Sequence, residues 1–177
     1  PEVSGTYPFV PWLVTFIHEL GYSTKVLKSD SRSLSTGEKM SYSFDACGPV
    51  KIAHAVCDKD VDLLFFPKII DYPDELGQNR KACIREQSLP EIVGKSLKAK
   101  GNNTEILVPQ LFFADGYDGE SVMESLQVLI EPLDITESEL RLAATRAASA
   151  QLKYKSDLLS LGEEAIAYAR EEKIPMV

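Results

Sequence analysis

Three cysteines offer the most direct chemistry in this sequence. Cys47 lies in Asp45-Ala46-Cys47-Gly48-Pro49-Val50-Lys51, between an extended segment and a helix that accepts Pro49 in its first turn. A cysteine just ahead of a helix N-terminus meets free N–H groups and the positive end of the helix dipole, and both favour thiolate over thiol. Thiolate is the form that a metal or a cluster binds. The alternative is a buried structural cysteine, the more ordinary fate of a free one, and the local sequence leaves both open. Cys83 sits in Lys81-Ala82-Cys83-Ile84, in a long polar stretch after a strand end. Ligands of doubly wound sheets collect beyond the C-terminal ends of the strands, so Cys47 and Cys83 would share that rim. Cys57 follows His54 by three positions and reads as packed; the pair at i, i+3 offers two metal ligands, too few for a site. His18 has no partner signal, and Asp71, Asp74 and Glu75 read as a solvated acidic cluster.

The elements that must position these residues follow from periodicity. Phe9, Leu13, Phe16, Ile17 and Leu20 share one helical face, and Gly21 stops that helix. Ser23 to Leu27 reads as a short strand, and Asp30 to Lys39 as a short helix or loop. Val50, Ala53 and His54 continue the face of the helix that Pro49 opens. Val61 to Phe66 is a nearly continuous apolar run, the pattern of a strand buried on both faces of a parallel sheet, and Pro67 ends it. Residues 68 to 88 are polar and read as a loop of a length that is usually functional or disordered. A helix over Pro90 to Ala99, a strand over Glu105 to Pro109 and a helix over Gly119 to Leu129 follow. The alternation predicts an α/β fold, a Rossmann-like and mostly parallel sheet flanked by helices, over residues 1–133.

Residues 134–177 differ. Thr136-Glu137-Ser138-Glu139 is a capping box. Leu140, Ala144, Ala147, Gln151, Tyr154, Leu158, Leu161, Ala165 and Tyr168 then recur at alternating spacings of four and three, a heptad stripe over a helix of roughly 35 residues. Its many small and polar positions fit a helix lying along a domain better than a free coiled coil, though the stripe also offers an interface for a homo-oligomer. Gly162 weakens it by about 1 kcal/mol relative to Ala, and a kink is expected there. Lys173 to Val177 reads as the start of a strand, and no strand precedes the first helix. The sequence therefore reads as part of a larger protein, its long helix leading into a further domain.

The chain has 177 residues, with 27 acidic and 19 basic side chains and a net charge of −8. That balance disfavours a nucleic-acid or anionic-membrane partner. No apolar run approaches the ~20 residues of a membrane span, and no signal peptide is visible. An odd number of widely spaced cysteines without a CxxC pair argues for a reducing cytoplasm rather than a disulfide framework. Asn102-Asn103-Thr104 matches a glycosylation sequon and reads as a turn. There is no GxGxxG, Walker-type loop, GxSxG or HExxH, which leaves ATP binding outside this segment. No residue is marked as catalytic.

The order of Tyr7-Pro8-Phe9, Leu13 to Gly21, Asp45-Ala46-Cys47-Gly48-Pro49-Val50-Lys51 with His54, Val61 to Pro67, Cys83, and Leu89-Pro90-Glu91-Ile92 resembles the acyl-CoA dehydratase activase-related family. That region stands alone or is fused behind ATPase domains in large CoA-substrate-specific enzyme activases, and is distantly similar to the iron–sulfur subunits of 2-hydroxyacyl-CoA dehydratases. Leu161 to Ala165 and Tyr168 to Glu171 resemble the family's long linking helix, so the resemblance covers nearly the whole chain. It implies that Cys47 and Cys83 ligate a 4Fe–4S cluster, with Pro49, Lys51 and His54 in support. It also implies ATPase activator domains, on the same or a related chain, and an acyl-CoA dehydratase as partners in electron transfer. Lys68 stands after Pro67 where the fused proteins commonly carry a cysteine, and Cys57 has no counterpart, so a three-cysteine site within the chain is not expected. The competing readings are a scaffold or interaction domain without a cluster, and a thiol enzyme or redox sensor using Cys47 alone.

Overall fold

A computed structural model describes residues 1–3, 5–41, 46–74, 77–78 and 80–175. Its elements run Val10–Glu19 (α1), Ser33–Met40 (α2), Gly48–Cys57 (α3), Leu63–Phe65 (β1), Lys68–Ile69 (β2), Ile84–Gln87 (α4), Leu89–Ala99 (α5), Glu105–Leu107 (β3), Gln110–Leu111 (β4), Glu120–Leu126 (α6), Ile130–Leu133 (α7) and Glu137–Glu171 (α8), with 3-10 turns at Tyr7–Phe9 and Gln127–Leu129. This is a mixed α/β fold with a long C-terminal helix.

The parallel pairing comes in two short pieces, β1 with β3 and β2 with β4. They belong to one register. Leu63 is opposite Glu105 and Lys68 is opposite Gln110, the same separation in sequence, which places Pro67 opposite Pro109. Bonds continue through the break, from Phe66 N to Leu107 O, Lys68 N to Pro109 O and Ile70 N to Leu111 O, each 2.9 Å. Pro109 has no N–H to return where a parallel ladder requires one, and the regular strand is cut there. The strand expected at 61–66 thus continues past the proline that was to end it.

Alternate residues of this ladder face two apolar clusters. Leu64 and Phe66 join Val50, Ala53, Val56, Val93 and Leu97 of α3 and α5 on one side. Leu63, Phe65, Ile69 and Leu111 meet Trp12, Phe16, Val122, Leu126 and Leu140 of α1, α6 and α8 on the other. Helices therefore cover both faces, as parallel strands require. The predicted strand at Ser23–Leu27 does not form: among the described residues no bond joins its backbone to β1, and Leu27 O accepts instead from Glu2 N at 2.8 Å.

Trp12 is the centre of the larger core and was absent from the predicted apolar stripe of α1. Its indole stacks on Phe16 with ring centroids 4.9 Å apart, meets Phe113 edge-on at 5.4 Å, and donates from Nε1 to Tyr117 O at 2.9 Å. The first half of α8 lies against α1 through Leu140 and the small Ala143, Ala144, Ala147 and Ala148, all buried. Gln151 closes that contact: its Oε1 accepts from Trp12 N at 3.2 Å and its Nε2 donates to Pro8 O at 2.8 Å. A free N–H of the first turn of α1 is thereby satisfied by a side chain 139 residues away. The capping box forms as the sequence predicts, and α8 continues through Gly162 without interruption. Beyond Gln151 its residues leave the core. Residues 173–175 form no strand, and Met176 and Val177 lie outside the described residues.

Candidate functional site

Helix α3 places Cys47. Pro49 presets the backbone of its first turn, and Cys47 takes the N-cap position with an extended backbone. Helices α3 and α5 share their C-terminal ends. Asp58, just past α3, accepts from Lys100 Nζ and Asn102 Nδ2, both at 3.3 Å, just past α5. Thr104 Oγ1 donates to Val61 O at 3.4 Å where the strands begin. At the other end, Lys68 of β2 pairs with Glu91 in the first turn of α5. At 1.5 Å per residue α3 spans about 15 Å, so Cys47 sits at the end toward which the strands run.

Cys83 reaches the same end by another route. Ala82 N donates to Ile70 O at 2.9 Å just past β2, which ties the chain down beside the strand exit. Cys83 follows as the N-cap residue of the short α4, and its carbonyl accepts from Glu86 N at 2.9 Å and Gln87 N at 3.1 Å. Both cysteines are free and exposed. Tyr72 lies nearby, its hydroxyl pushed above its ordinary pKa by burial first and then by its neighbours Glu86 and Cys83.

The other predicted residues fall differently. Pro49 is exposed and Lys51 is half-buried. The Lys51 ammonium donates to Glu38 Oε1 at 2.7 Å across the α2–α3 crossing, and that bond holds the Glu38 carboxyl below its ordinary pKa. His54 is fully buried with its Nδ1 2.8 Å from Val50 O, and its Nε2 has no hydrogen-bond partner among the described residues. Cys57 is also fully buried, which pushes its thiol up to about 12. Asp45 of the cysteine motif lies outside the described residues, as does Glu75.

The acidic cluster is not simply solvated. Asp71 is 2% exposed. Its Oδ1 accepts from Phe113 N at 2.6 Å and Ala114 N at 2.9 Å, and its Oδ2 pairs with Lys81 Nζ at 3.1 Å. It bolts the 68–88 segment to the chain leaving β4, and an isolated bridge between Asp71 and Lys81 finishes the link. Lys68, Glu91, Asp71 and Lys81 thus surround the rim. Only the strand-end rule pointed there; nothing in the local sequence marked Asp71 as buried.

Among the described residues no group of three or more His, Cys, Asp or Glu side chains could hold a metal ion, and no helix is long and apolar enough to cross a membrane. The family model described as the CoA enzyme activase uncharacterised domain matches residues 1–177. The chain belongs to that family. No curated protein and no solved structure matches it.

Proposed function

From that membership, we propose that this chain is the part of a CoA-substrate-specific enzyme activase, or of a related acyl-CoA dehydratase protein, that offers Cys47 and Cys83 as thiolate ligands to a 4Fe–4S cluster. Electrons would pass by way of that cluster to a 2-hydroxyacyl-CoA dehydratase, driven by ATPase domains of the same or a related chain. One observation carries the reading: both exposed cysteines occupy N-cap positions at the end of the fold toward which the parallel strands run. In open sheets of parallel strands covered by helices, ligands gather at that end.

The described residues offer two thiolates, not the four that a 4Fe–4S centre takes, so a complete cluster site does not lie within them. Cys57 and His54 are turned into the core and add none. The remaining ligands would come from another polypeptide or domain. When bound, such a cluster supplies one-electron transfer. The chain's own part is to hold two sulfurs, with Pro49 fixing the turn under Cys47 and the Lys51–Glu38 pair fixing α3 against α2. Free thiols at the surface fit a reducing cytoplasm.

Anaerobic reconstitution with ferrous iron and sulfide tests this, on the chain alone and mixed with its ATPase and dehydratase components. Iron content and visible absorption should rise, and both Cys47→Ala and Cys83→Ala should abolish the gain. Iron-free, colourless protein under both conditions ends the reading. The alternative reading is a scaffold or interaction domain without a cluster; under it both alanine variants leave dehydratase activation unchanged.

A further inference from the structure

We propose that the gap between Ser23–Leu27 and β1 seats one more strand, parallel to β1 and running directly into Pro1. Its occupant is the stretch of polypeptide joined to Pro1, apolar on both faces. The inference does not rest on the cluster reading.

The gap is a slot of about 550 Å³, lined by Tyr22 to Leu27 on one side and Asp60 to Phe65 on the other. Its β1 wall is an open strand edge. Phe66 N and Lys68 N donate to Leu107 O and Pro109 O, so the even-numbered residues turn their peptide groups toward β3. Peptide groups alternate between the two edges of a parallel strand, and those of Leu63 and Phe65 therefore face the slot. Among the described residues no bond joins them to Ser23–Leu27, and main-chain groups inside a fold need partners. Apolar side chains bound the slot on both faces, Leu13 and Ile17 of α1 on one and Leu27 and Leu64 on the other. A strand seated there is covered on both sides, as central parallel strands are.

Handedness decides which strand belongs in the slot. Crossovers between parallel strands are right-handed in nearly all sheets, so the face a helix covers gives the direction of its step. Helices α3 and α5 lie on the same face. Helix α5 carries the chain to β3, on the side of β1 away from the slot. Helix α3 then steps the same way, from Ser23–Leu27 across the slot to β1. Helix α1 lies on the opposite face, so its step runs the other way and reaches Ser23–Leu27 from the β1 side. The strand that feeds α1 therefore falls between Ser23–Leu27 and β1.

The chain ahead of α1 already starts this pairing, since Glu2 N donates to Leu27 O at 2.8 Å. Pro1 lines the slot, and burial holds its α-amino group below the ordinary pKa. The open edge runs along Val61 to Phe65, which fits about five residues at 3.3 Å each. With that partner Ser23–Leu27 becomes the strand its composition predicts. The order of strands then reverses between the added strand and β1, the place where ligands of doubly wound sheets bind. Gly5, just past the added strand, lies against the Glu86 side chain of α4 at that end.

Nuclear magnetic resonance of a natural chain that continues upstream of Pro1 tests the strand. The amides of Leu63 and Phe65 should exchange as slowly as those of Leu64 and Phe66, which β3 already holds. In the 177-residue chain they should exchange at least about 10-fold faster than those two neighbours. Cross-strand amide contacts should run from the residues before Pro1 to both β1 and Ser23–Leu27. Three results overturn the proposal: fast exchange at Leu63 and Phe65 in the longer chain, slow exchange there without the added residues, or direct amide contacts between Ser23–Leu27 and β1 in the longer chain.

Discussion

Gly37→Ala should cost this protein stability even though it places a better helix former inside a helix. Gly37 sits in α2 where that helix crosses α3. A β-carbon there would stand 1.7 Å from the Lys51 carbonyl oxygen and 2.5 Å from its carbonyl carbon, against the 3.4 Å at which ordinary contact begins. What it meets is backbone, not a flexible side-chain tip, so the two helices must separate by roughly 1.5 Å in an interior packed like a crystal. Alanine returns about 1 kcal/mol of helix propensity. Overpacking a well-filled site costs about 1–3 kcal/mol, occasionally more, and a displacement of main chain belongs at or above the top of that range. The net loss should be about 2 kcal/mol, a fall in Tm of about 4–8 °C for a chain of this size. Gly162→Ala is the internal control: it sits in α8 with no atom within 4 Å of the added carbon, so the propensity gain should appear there undiminished, up to about 1 kcal/mol. Urea unfolding followed by circular dichroism and by Trp12 fluorescence measures both, the midpoints moving in opposite directions at constant m. A Gly37→Ala protein as stable as the parent would refute the close backbone crossing, and with it the account of how α2 fixes the helix that carries Cys47.

Thiol labelling at pH 8 should modify Cys47 and Cys83 in the folded protein and leave Cys57 untouched until unfolding. A buried thiol that titrates near 12 is about one part in ten thousand thiolate at that pH, and three equal labelling rates would contradict its burial. Thr136→Ala should cost about 1 kcal/mol by removing the N-cap of α8. The Glu139 carboxylate accepts from both Thr136 N–H and hydroxyl, which holds its pKa below the ordinary value, the side-chain bond contributing most. A pKa lower in the folded state gives stabilisation that is present above the unfolded value of about 4.3 and fades as pH falls through the folded one. Helical signal monitored from pH 6 downward should show this acid step in the parent and a smaller one in Thr136→Ala; identical profiles would dismiss the capping box. Asp71→Ala should destabilise by about 3 kcal/mol because two buried N–H groups lose their acceptor, while Asp71→Asn, which keeps an acceptor oxygen, should lose less; equal losses in chemical denaturation would assign Asp71's effect to the Lys81 ion pair instead.

The helices and the capping box were legible because they are local in sequence, while the parallel pairing of β1 with β3 followed from the alternation of helices and strands. Three features escaped for a shared physical reason. Trp12 lies one position off the stripe Phe9-Leu13-Phe16, and its burial depends on the Tyr117 carbonyl and the Phe113 ring arriving from 100 residues further on. Asp71 looked solvated beside Asp74 and Glu75, yet the N–H groups of Phe113 and Ala114 pull it inside. Ser23–Leu27 has strand composition, but a strand exists only by pairing, and no backbone bonds it to β1. The rim was legible for the opposite reason: helix N-caps at Cys47 and Cys83 are local features, and topology alone turns both toward the strand exits. His54 shows the limit of that reasoning. The resemblance put it in support of Cys47, but the helix turns its ring inward onto the Val50 carbonyl.

If a 4Fe–4S cluster takes Cys47 and Cys83, two more ligands are needed. Cys57 and His54 are fully buried, so the completing ligands would come from another polypeptide or domain that docks on the rim between the first turn of α3 and the start of α4. Cys47→Ala should therefore lower the iron content of the reconstituted protein while leaving its denaturation midpoint unchanged, because the side chain is exposed and makes no cap bond to its helix. A variant that keeps its iron would remove Cys47 from the site, and one that loses stability as well would make the residue structural.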